Sequence, residues 1–162
     1  MKNILFIRHA DTELQRYNYD DLKRNLTDRG KIQVQNMSNK LSYKGICPEL
    51  FISSPSNRTL QTASIMKESL RLNVPIEIDK EIYSGGIHDL SNVVTNISNK
   101  IELIAIFGHN PTMSNIANLI SKKSILGFPT CSVLHCSYKI NSWVDFQFSE
   151  GIMLSFDIPD EF

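Results

Sequence analysis

Short apolar runs alternate with helical stretches along most of the chain. Each run is bounded by polar residues, a pattern typical of strands that are buried on both faces. The predicted strands are residues 2–7, 50–53, 75–78 and 102–107. Apolar residues that recur with the helical period predict helices over residues 28–42, 57–71, 89–100 and 111–121. This alternation predicts an α/β domain with a largely parallel sheet and helices on both faces.

Two segments depart from the alternation. Residues 11–25 are polar and aromatic without a clean period, which predicts a loop with room for a short helix. Residues 132–140, 143–148 and 151–158 predict strands in antiparallel hairpins. We therefore expect a three-layer sandwich with a mixed, mostly parallel sheet. Because no Pro- or Gly-rich linker interrupts the pattern, we expect residues 1–162 to form a single domain.

The first helix carries a start signal and a predicted buried face. Thr27 is expected to cap its N-terminus, because a hydroxyl can accept a hydrogen bond from the first free N–H groups. Ile32, Met37 and Leu41 are expected to face the core. The sequence thus predicts both where this helix begins and which side packs on the sheet.

Composition and charge narrow the classes of function. The chain has 17 Lys and Arg and 17 Asp and Glu, so its formal net charge is zero. This balance argues against nucleic-acid binding driven by bulk charge and against a polybasic membrane anchor. The longest apolar run, residues 103–107, is far shorter than the ~20 residues of a transmembrane helix. Three cysteines without CxxC spacing fit a reducing compartment, and we expect a cytoplasmic protein.

Unusual polar side chains follow three of the predicted strands. Arg8 and His9 follow the first, Arg58 lies just after the second, and His109 follows the fourth. Because the carboxyl ends of parallel strands meet at one edge of a sheet, we expect these four side chains to converge there. Arginine forks and helix N-terminal N–H groups are the donors that a phosphate group requires. The sequence therefore predicts a phosphate site.

Simple structural roles and a zinc site compete with the phosphate site. Taken singly, each of these residues fits a surface ion pair or an ordinary buried histidine. Two histidines without a cysteine pair or a set of carboxylates make a poor zinc site. Cys131, His135 and Cys136 are also weak ligands, because positions 131 and 135 share one face of a strand and 136 faces the other. We therefore predict no metal site and assign no role to His88 or His135.

The motifs at these strand ends resemble those of the histidine phosphatase (phosphoglycerate mutase-like) superfamily, and most closely the small phosphohistidine phosphatases of the SixA type. The matching segments, in chain order, are Arg8-His9-Ala10, Leu26-Thr27-Asp28-Arg29-Gly30, Ser53-Ser54-Pro55-Ser56-Asn57-Arg58-Thr59-Leu60-Gln61-Thr62-Ala63 and Gly108-His109-Asn110-Pro111. The resemblance spans almost the whole chain, with the motifs in the right order. It implies a phosphoglycerate mutase-like fold.

The resemblance also implies a mechanism and a set of catalytic residues. His9 would attack phosphorus and carry the phosphoryl group, which splits one displacement into two. Arg8 and Arg58 would hold the phosphoryl oxygens, and His109 would donate a further hydrogen bond. Such a site implies hydrolysis without a metal ion or another cofactor.

The general acid is where the chain departs from the wider superfamily. Enzymes that act on stable alkyl esters protonate the leaving oxygen with a carboxyl group. The alignment places Ser84 near that position, so either Glu81 or Asp89 replaces the acid or the acid is absent. A phosphoramidate such as phosphohistidine has a better leaving group than an alkoxide and fits an absent acid. Thr12 and Asn110 are candidates for secondary substrate contacts.

These inferences favour a phosphatase that acts on a protein phosphohistidine, for example on a histidine-containing phosphotransfer domain. The short chain leaves no room for a large cap domain, which favours an open site and a protein substrate. Two alternatives stay open. One is a phosphatase for a small phosphorylated metabolite, and the other is a non-catalytic phosphate-binding module on the same fold.

Overall fold

The described part of the chain is residues 1–122 and 127–160 of a computed structural model. Its strands are β1 (Lys2–Arg8), β2 (Leu50–Ser53), β3 (Ile76–Ile78), β4 (Leu103–Gly108), β5 (Val133–Tyr138) and β6 (Ile152–Asp157). Its α-helices are α1 (Asp28–Tyr43), α2 (Asn57–Ser69), α3 (Glu81–Ser84), α4 (Ile87–Thr95) and α5 (Thr112–Ser121). Shorter 3₁₀ turns cover Asp21–Lys23, Trp143–Asp145 and Phe148–Glu150. Within these residues no helix is long and apolar enough to cross a membrane.

The strands form one mixed sheet in the order β3-β2-β4-β1-β5-β6. β1 and β2 each pair in parallel with β4, and β3 pairs in parallel with β2. β5 is antiparallel to β1, and β6 is antiparallel to β5. The predicted mixed, mostly parallel sheet is confirmed. The carboxyl ends of β1, β2 and β4 therefore lie at the same edge.

Helices cover both faces of this sheet. On one face, α1 and α2 pack on residues that include Leu5, Ile7, Phe51, Ala105 and Phe107. On the other face, α4 and α5 pack on residues that include Ile4, Phe6, Ile52, Ile104 and Ile106. Because successive strand residues face opposite layers, both sets must be apolar, and this is why the sequence shows continuous apolar runs. The expected three-layer arrangement is confirmed.

The predicted start of α1 is confirmed, but one of its predicted core residues is not. The Thr27 hydroxyl accepts the N–H of Gly30 at 3.0 Å and so caps the helix. Ile32 is 46% exposed, whereas Val34 is fully buried. The buried stripe follows positions 30, 34, 37 and 41, because Gly30 packs directly on the backbone of Asp11, where a Cβ would overlap.

The predicted strand over residues 143–148 is wrong. The structure has two 3₁₀ turns there, and Trp143, Phe146 and Phe148 are all buried in the core. The Trp143 indole N–H donates to the carbonyl of Ile101 at 3.0 Å, which fixes the turn against the chain before β4. A strand would send Trp143 and Phe146 to opposite faces, whereas the turns keep all three aromatic rings in one core.

Candidate active site

The ends of β1 and β4 bring the two predicted histidines together. Arg8 of β1 pairs in register with Gly108 of β4, and the His9 N–H donates to the Gly108 carbonyl at 3.1 Å. The rings of His9 and His109 consequently lie 5.3 Å apart between their centroids. A Cβ at Gly108 would overlap the terminal methyl of Met113, so a larger residue there would displace the Met113 side chain.

The start of α2 places Arg58 at the same edge. The Ser56 side chain caps this helix, and Arg58 lies in its first turn with only 4% of its surface exposed. The Thr62 hydroxyl donates to the Arg58 carbonyl at 2.7 Å and accepts the N–H of Ala10 at 3.1 Å. This link ties α2 to the turn that follows β1, and so places Arg58 beside His9.

His9 is held as a neutral ring with one free nitrogen. Its Nδ1 lies 2.8 Å from the Ala10 carbonyl, and because a carbonyl only accepts, Nδ1 must carry the proton. Desolvation, together with the positive charges of Arg58 and Arg8, lowers the pKa of His9 to about 4, although the bond to Ala10 opposes this. At neutral pH, Nε2 therefore presents a lone pair.

Three buried nitrogens in the predicted set have no hydrogen-bond partner within the described residues. They are Nε of Arg8, Nε of Arg58 and Nδ1 of His109. The remaining nitrogens are partly used, since Arg8 Nη1 donates to the Phe128 carbonyl at 2.9 Å. A buried donor without a partner costs about 1–3 kcal/mol. An oxyanion could accept from each N–H that faces it, so the arrangement suits a tetrahedral anion next to His9.

His109 is also neutral and is held from two sides. Desolvation, followed by the charge of Arg58, lowers the pKa of His109 to about 3. Its Nε2 lies 2.7 Å from the Ser54 hydroxyl oxygen. The Tyr83 ring meets the imidazole edge-on at 5.5 Å between centroids. The orientation of the ring is therefore fixed by a hydrogen bond and an aromatic contact.

The Asp21 carboxylate joins this site, although no sequence motif pointed to it. It accepts from Arg58 Nη2, Arg24 Nε and the Tyr83 hydroxyl, each at 2.9 Å. Its backbone carbonyl accepts from Arg58 Nη1 at 2.8 Å. Desolvation raises the pKa of Asp21, but the hydrogen bonds from Tyr83, Arg58 and Arg24 outweigh it and lower the pKa to about 2. Asp21 is therefore an ionised carboxylate, and it positions Arg58.

The two candidates for secondary contacts lie beside the site and are engaged with the protein. The Thr12 hydroxyl accepts from Arg24 Nη1 at 3.0 Å. Asn110 Nδ2 donates to the Phe128 carbonyl at 3.2 Å, the same oxygen that accepts from Arg8. The structure thus brings Asn110 close to Arg8, and it places Thr12 beside Arg24.

In the described residues, neither candidate acid forms a hydrogen bond or ion pair with the four predicted catalytic residues. Asp89 Oδ2 accepts the N–H of Gly86 at 2.8 Å, where it caps the start of α4. That cap explains why the helix begins at Ile87, two residues before the predicted start. Glu81 lines a groove between β2, β3 and α4, together with residues such as Ile52. Among the carboxylates of the described residues, Asp21 is the one that bonds to this set.

Cys131 and Cys136 are buried near β5, and the backbone of Cys131 is joined to the end of β1. The Cys131 N–H donates to the carbonyls of Arg8 and His9 at 3.1 and 3.0 Å. Cys131 and Cys136 are fully buried, and burial raises the pKa of both thiols to about 12. Over residues 1–122 and 127–160, no group of three or more His, Cys, Asp or Glu side chains could hold a metal ion.

We expect Asp21→Asn to destabilise the protein at neutral pH by roughly 1 kcal/mol, a small effect because the carboxylate is partly exposed. The folded-state pKa is depressed, so the stabilisation is complete above about pH 3.8 and is lost as the pH falls through about 2. Denaturant unfolding at pH 7 and pH 2.5 measures this, with Asp28→Asn as the control because Asp28 is 96% exposed. An equal loss at both pH values would contradict the assignment.

A comparison with known families and curated proteins finds two matches. The model of the histidine phosphatase superfamily (branch 1) matches residues 4–90. An uncharacterized chloroplastic protein from Arabidopsis thaliana is 25% identical over 151 residues, which make up 88% of this chain and 69% of that protein. The family match covers more than half of the chain, including most of β1 and all of β2, α1 and α2.

Solved structures with the same fold include several phosphatases. A SixA-type protein from Agrobacterium tumefaciens has a TM-score of 0.83 at 18% identity, over 98% of both chains. The protein histidine phosphatase SixA in complex with tungstate has a TM-score of 0.78 at 19% identity, over 95% of both chains. A phosphoserine phosphatase from Entamoeba histolytica has a TM-score of 0.63 at 11% identity, over 98% of both chains. The expected phosphoglycerate mutase-like fold is confirmed.

Proposed function

Because the chain belongs to the histidine phosphatase superfamily, we propose that it is a metal-independent phosphatase that forms a phosphohistidine on His9. One observation carries the proposal. A buried neutral His9 with a free Nε2 lies among buried nitrogens of Arg8, Arg58 and His109 that have no partner in the described chain. The phosphorus of a phosphoryl group is an electrophile that Nε2 of His9 can attack. Its oxygens can accept hydrogen bonds from the unpartnered N–H groups.

In the first step, the Nε2 lone pair of His9 attacks phosphorus. The P–N bond forms as the bond to the leaving group breaks, and the leaving group takes that electron pair. The Nδ1–H bond to the Ala10 carbonyl stabilises the positive charge that develops on the ring. Arg8 and Arg58 meet the negative charge on the phosphoryl oxygens, and each positioned donor is worth about 10²–10³ in rate.

In the second step, water attacks phosphorus and the P–N bond breaks. The electron pair returns to Nε2, so His9 is restored as a neutral ring. Inorganic phosphate leaves with both hydrogens of the water as H₂PO₄⁻, which then exchanges protons with the solvent. The low pKa of His9 favours this return, because the ring is more stable neutral than charged in its buried setting. The same donors serve both steps, since the phosphoryl oxygens stay in place.

We further propose that the substrate is a protein phosphohistidine. The ionised Asp21, with a pKa of about 2, is a poor proton donor at neutral pH. Asp89 is engaged as the N-terminal cap of α4. A leaving group that departs without a proton from the protein fits such a site, and the imidazole of phosphohistidine departs more readily than an alkoxide. Metal independence and a cytoplasmic location belong to the same proposal.

The alternatives differ in what they require. A phosphatase for a small phosphorylated metabolite needs a carboxyl acid near the leaving group, and neither Glu81 nor Asp89 bonds to the four predicted residues. The fold does not decide between these substrates, since it is shared by a protein histidine phosphatase and a phosphoserine phosphatase. A non-catalytic phosphate-binding module would not require a free nucleophilic nitrogen on a buried histidine.

An exposed segment beside the site supports a protein substrate. Residues 14–20 are all exposed. This segment lies between Glu13, which is hydrogen-bonded to Asn25, and Asp21 of the site. Leu14 and Tyr17 are 85% and 95% exposed. A protein that places its phosphohistidine on His9 would cover this rim, and burial of the two apolar side chains would stabilise the complex.

We expect the double variant Leu14→Ser/Tyr17→Ser to raise KM for a phosphorylated phosphotransfer domain by about 30-fold, since it removes two contacts worth about 1 kcal/mol each. Hydrolysis of p-nitrophenyl phosphate should be unchanged, because that molecule does not reach the rim. The matched control is Tyr43→Ser at the end of α1, which is also 95% exposed. A KM for the phosphoprotein equal to that of the control would contradict the rim contact.

A comparison of substrates tests the proposed function. The purified protein is given a phosphotransfer domain phosphorylated on histidine, phosphoserine, 3-phosphoglycerate and p-nitrophenyl phosphate, each with and without EDTA. We expect kcat/KM for the phosphohistidine protein to exceed that for both alkyl esters by at least about 100-fold, the usual worth of a general acid. EDTA should have no effect. Preference for an alkyl ester would support the metabolite alternative, and inactivity on all four would support the binding module.

A further inference from the structure

We propose that Ser54 is a positioning residue that fixes the tautomer of His109, holding its proton on Nδ1. The inference rests on the proposed function for its catalytic consequence, but the tautomer itself is a property of the protein alone. A histidine that donates to a phosphoryl oxygen must carry a proton on the nitrogen that faces it. The other ring nitrogen decides this through the hydrogen bond that it makes.

Ser54 has one proton to give, and its surroundings direct that proton to His109. Ser54 is fully buried just beyond the end of β2. Its Oγ accepts the N–H of Ser56 at 3.3 Å. The Thr59 hydroxyl lies 3.2 Å from this Oγ but has nearer acceptors in the carbonyls of Ser54 and Ser56, both at 3.0 Å. Two acceptors are within reach of the Ser54 proton, His109 Nε2 at 2.7 Å and Ser56 Oγ at 3.3 Å. If Nε2–H donated instead, the Ser54 proton would be left with the longer contact to Ser56 Oγ, so we assign the Ser54 proton to Nε2.

A neutral imidazole that accepts at Nε2 must carry its proton at Nδ1. Burial keeps the His109 ring neutral at physiological pH, so the ring carries one proton rather than two. Nδ1 is buried and has no partner among the described residues. It is therefore the N–H that a phosphoryl oxygen next to His9 would receive. In the opposite tautomer, Nδ1 would present a lone pair and repel that oxygen.

The position of the ring leaves Ser54 as its hydrogen-bonding anchor. The rings of Tyr83 and His9 flank His109 at 5.5 and 5.3 Å between centroids. These contacts restrain the plane of the ring, but neither of them specifies which nitrogen is protonated. The Ser54 hydroxyl determines which nitrogen is protonated, because it bonds to Nε2 and leaves Nδ1 for the substrate.

Nuclear magnetic resonance of uniformly ¹⁵N-labelled protein reads the tautomer directly. Long-range ¹H–¹⁵N correlations at pH 7, assigned to His109 by comparison with His109→Gln, should show a protonated Nδ1 and an unprotonated Nε2. The opposite pattern in the unsubstituted protein would overturn the proposal. This measurement needs neither a folded Ser54 variant nor enzymatic activity. Its outcome is therefore independent of whether the proposed function is correct.

A matched pair of serine variants then tests the consequence for catalysis. Ser54→Ala should shift the His109 signals toward the other tautomer and lower kcat on p-nitrophenyl phosphate by about 10- to 100-fold, with little change in KM. Ser53→Ala is the control, since Ser53 is equally buried but its hydroxyl donates to the Ser54 carbonyl at 2.9 Å. It should leave both tautomer and kcat unchanged. Equal tautomers and equal kcat in the two variants would overturn the proposal.

Discussion

His9→Ala should abolish hydrolysis of p-nitrophenyl phosphate, with a loss in kcat of at least about 10⁴-fold. The variant removes Nε2, the nitrogen that we propose to form the P–N bond, and removal of a nucleophile costs more than removal of one hydrogen-bond donor. p-Nitrophenolate leaves without a general acid, so the loss reports on the nucleophile alone. The fold should survive, because the β1–β4 pairing uses the backbone of the chain.

A control variant and a binding measurement show whether the loss of activity is specific to the His9 side chain. His88→Ala is the control, because His88 is exposed on α4 and should retain full activity. Binding of vanadate or tungstate by His9→Ala should persist at reduced affinity, since Arg8, Arg58 and His109 stay in place. Phosphatase activity retained in His9→Ala would contradict the assignment of the nucleophile.

Arg58→Ala should lower kcat/KM by about 10³-fold, the second largest effect that we expect. The guanidinium is almost fully buried, and its Nε is free of protein partners in the described residues. A positioned donor to the developing charge is worth about 10²–10³ in rate. Arg58→Lys should recover little of the loss, because an ammonium group cannot bond to Asp21 through two nitrogens while it also faces the phosphoryl group.

The control for Arg58 is Arg29→Ala, which removes an exposed arginine from α1. Steady-state kinetics should show no change in this variant. Stability must be measured alongside, because Arg58→Ala also leaves the carboxylate of Asp21 without one of its three donors. Full recovery of kcat/KM by Arg58→Lys would contradict a catalytic role that depends on the planar guanidinium group of Arg58.

The placement of the four predicted residues could be inferred from the sequence because it depends on local signals. Each of the residues lies at or just beyond the end of an apolar run, and parallel strands bring such ends to one edge. Arg8 and His109 are about a hundred positions apart in the chain, yet Arg8 is in register with Gly108. The order of strands and helices was sufficient to predict that convergence.

Asp21 could not be found in this way. Its partners Arg58 and Tyr83 lie 37 and 62 positions further along the chain, and it sits on a three-residue 3₁₀ turn without a period of its own. The family resemblance points instead to carboxylates between the second and third motifs. Of these carboxylates, Asp89 caps the start of α4 in the structure.

The wrong strand over residues 143–148 has a similar cause. The segment Trp-Val-Asp-Phe-Gln-Phe over residues 143–148 is compatible with a strand as well as with short turns. Contacts with residues distant in the sequence stabilise the turns, such as the hydrogen bond from Trp143 to the carbonyl of Ile101. A single sequence does not contain such a long-range contact as a local pattern.

Trapping the phosphoenzyme tests the central claim most directly. The protein is mixed with excess p-nitrophenyl phosphate and quenched in alkali, which preserves phosphohistidine, and its peptides are mapped by mass spectrometry. We predict one added phosphoryl group, located on His9 and missing from His9→Ala. A phosphoryl group on any other residue, or steady turnover with no phosphorylated peptide under the same quench, would contradict the account.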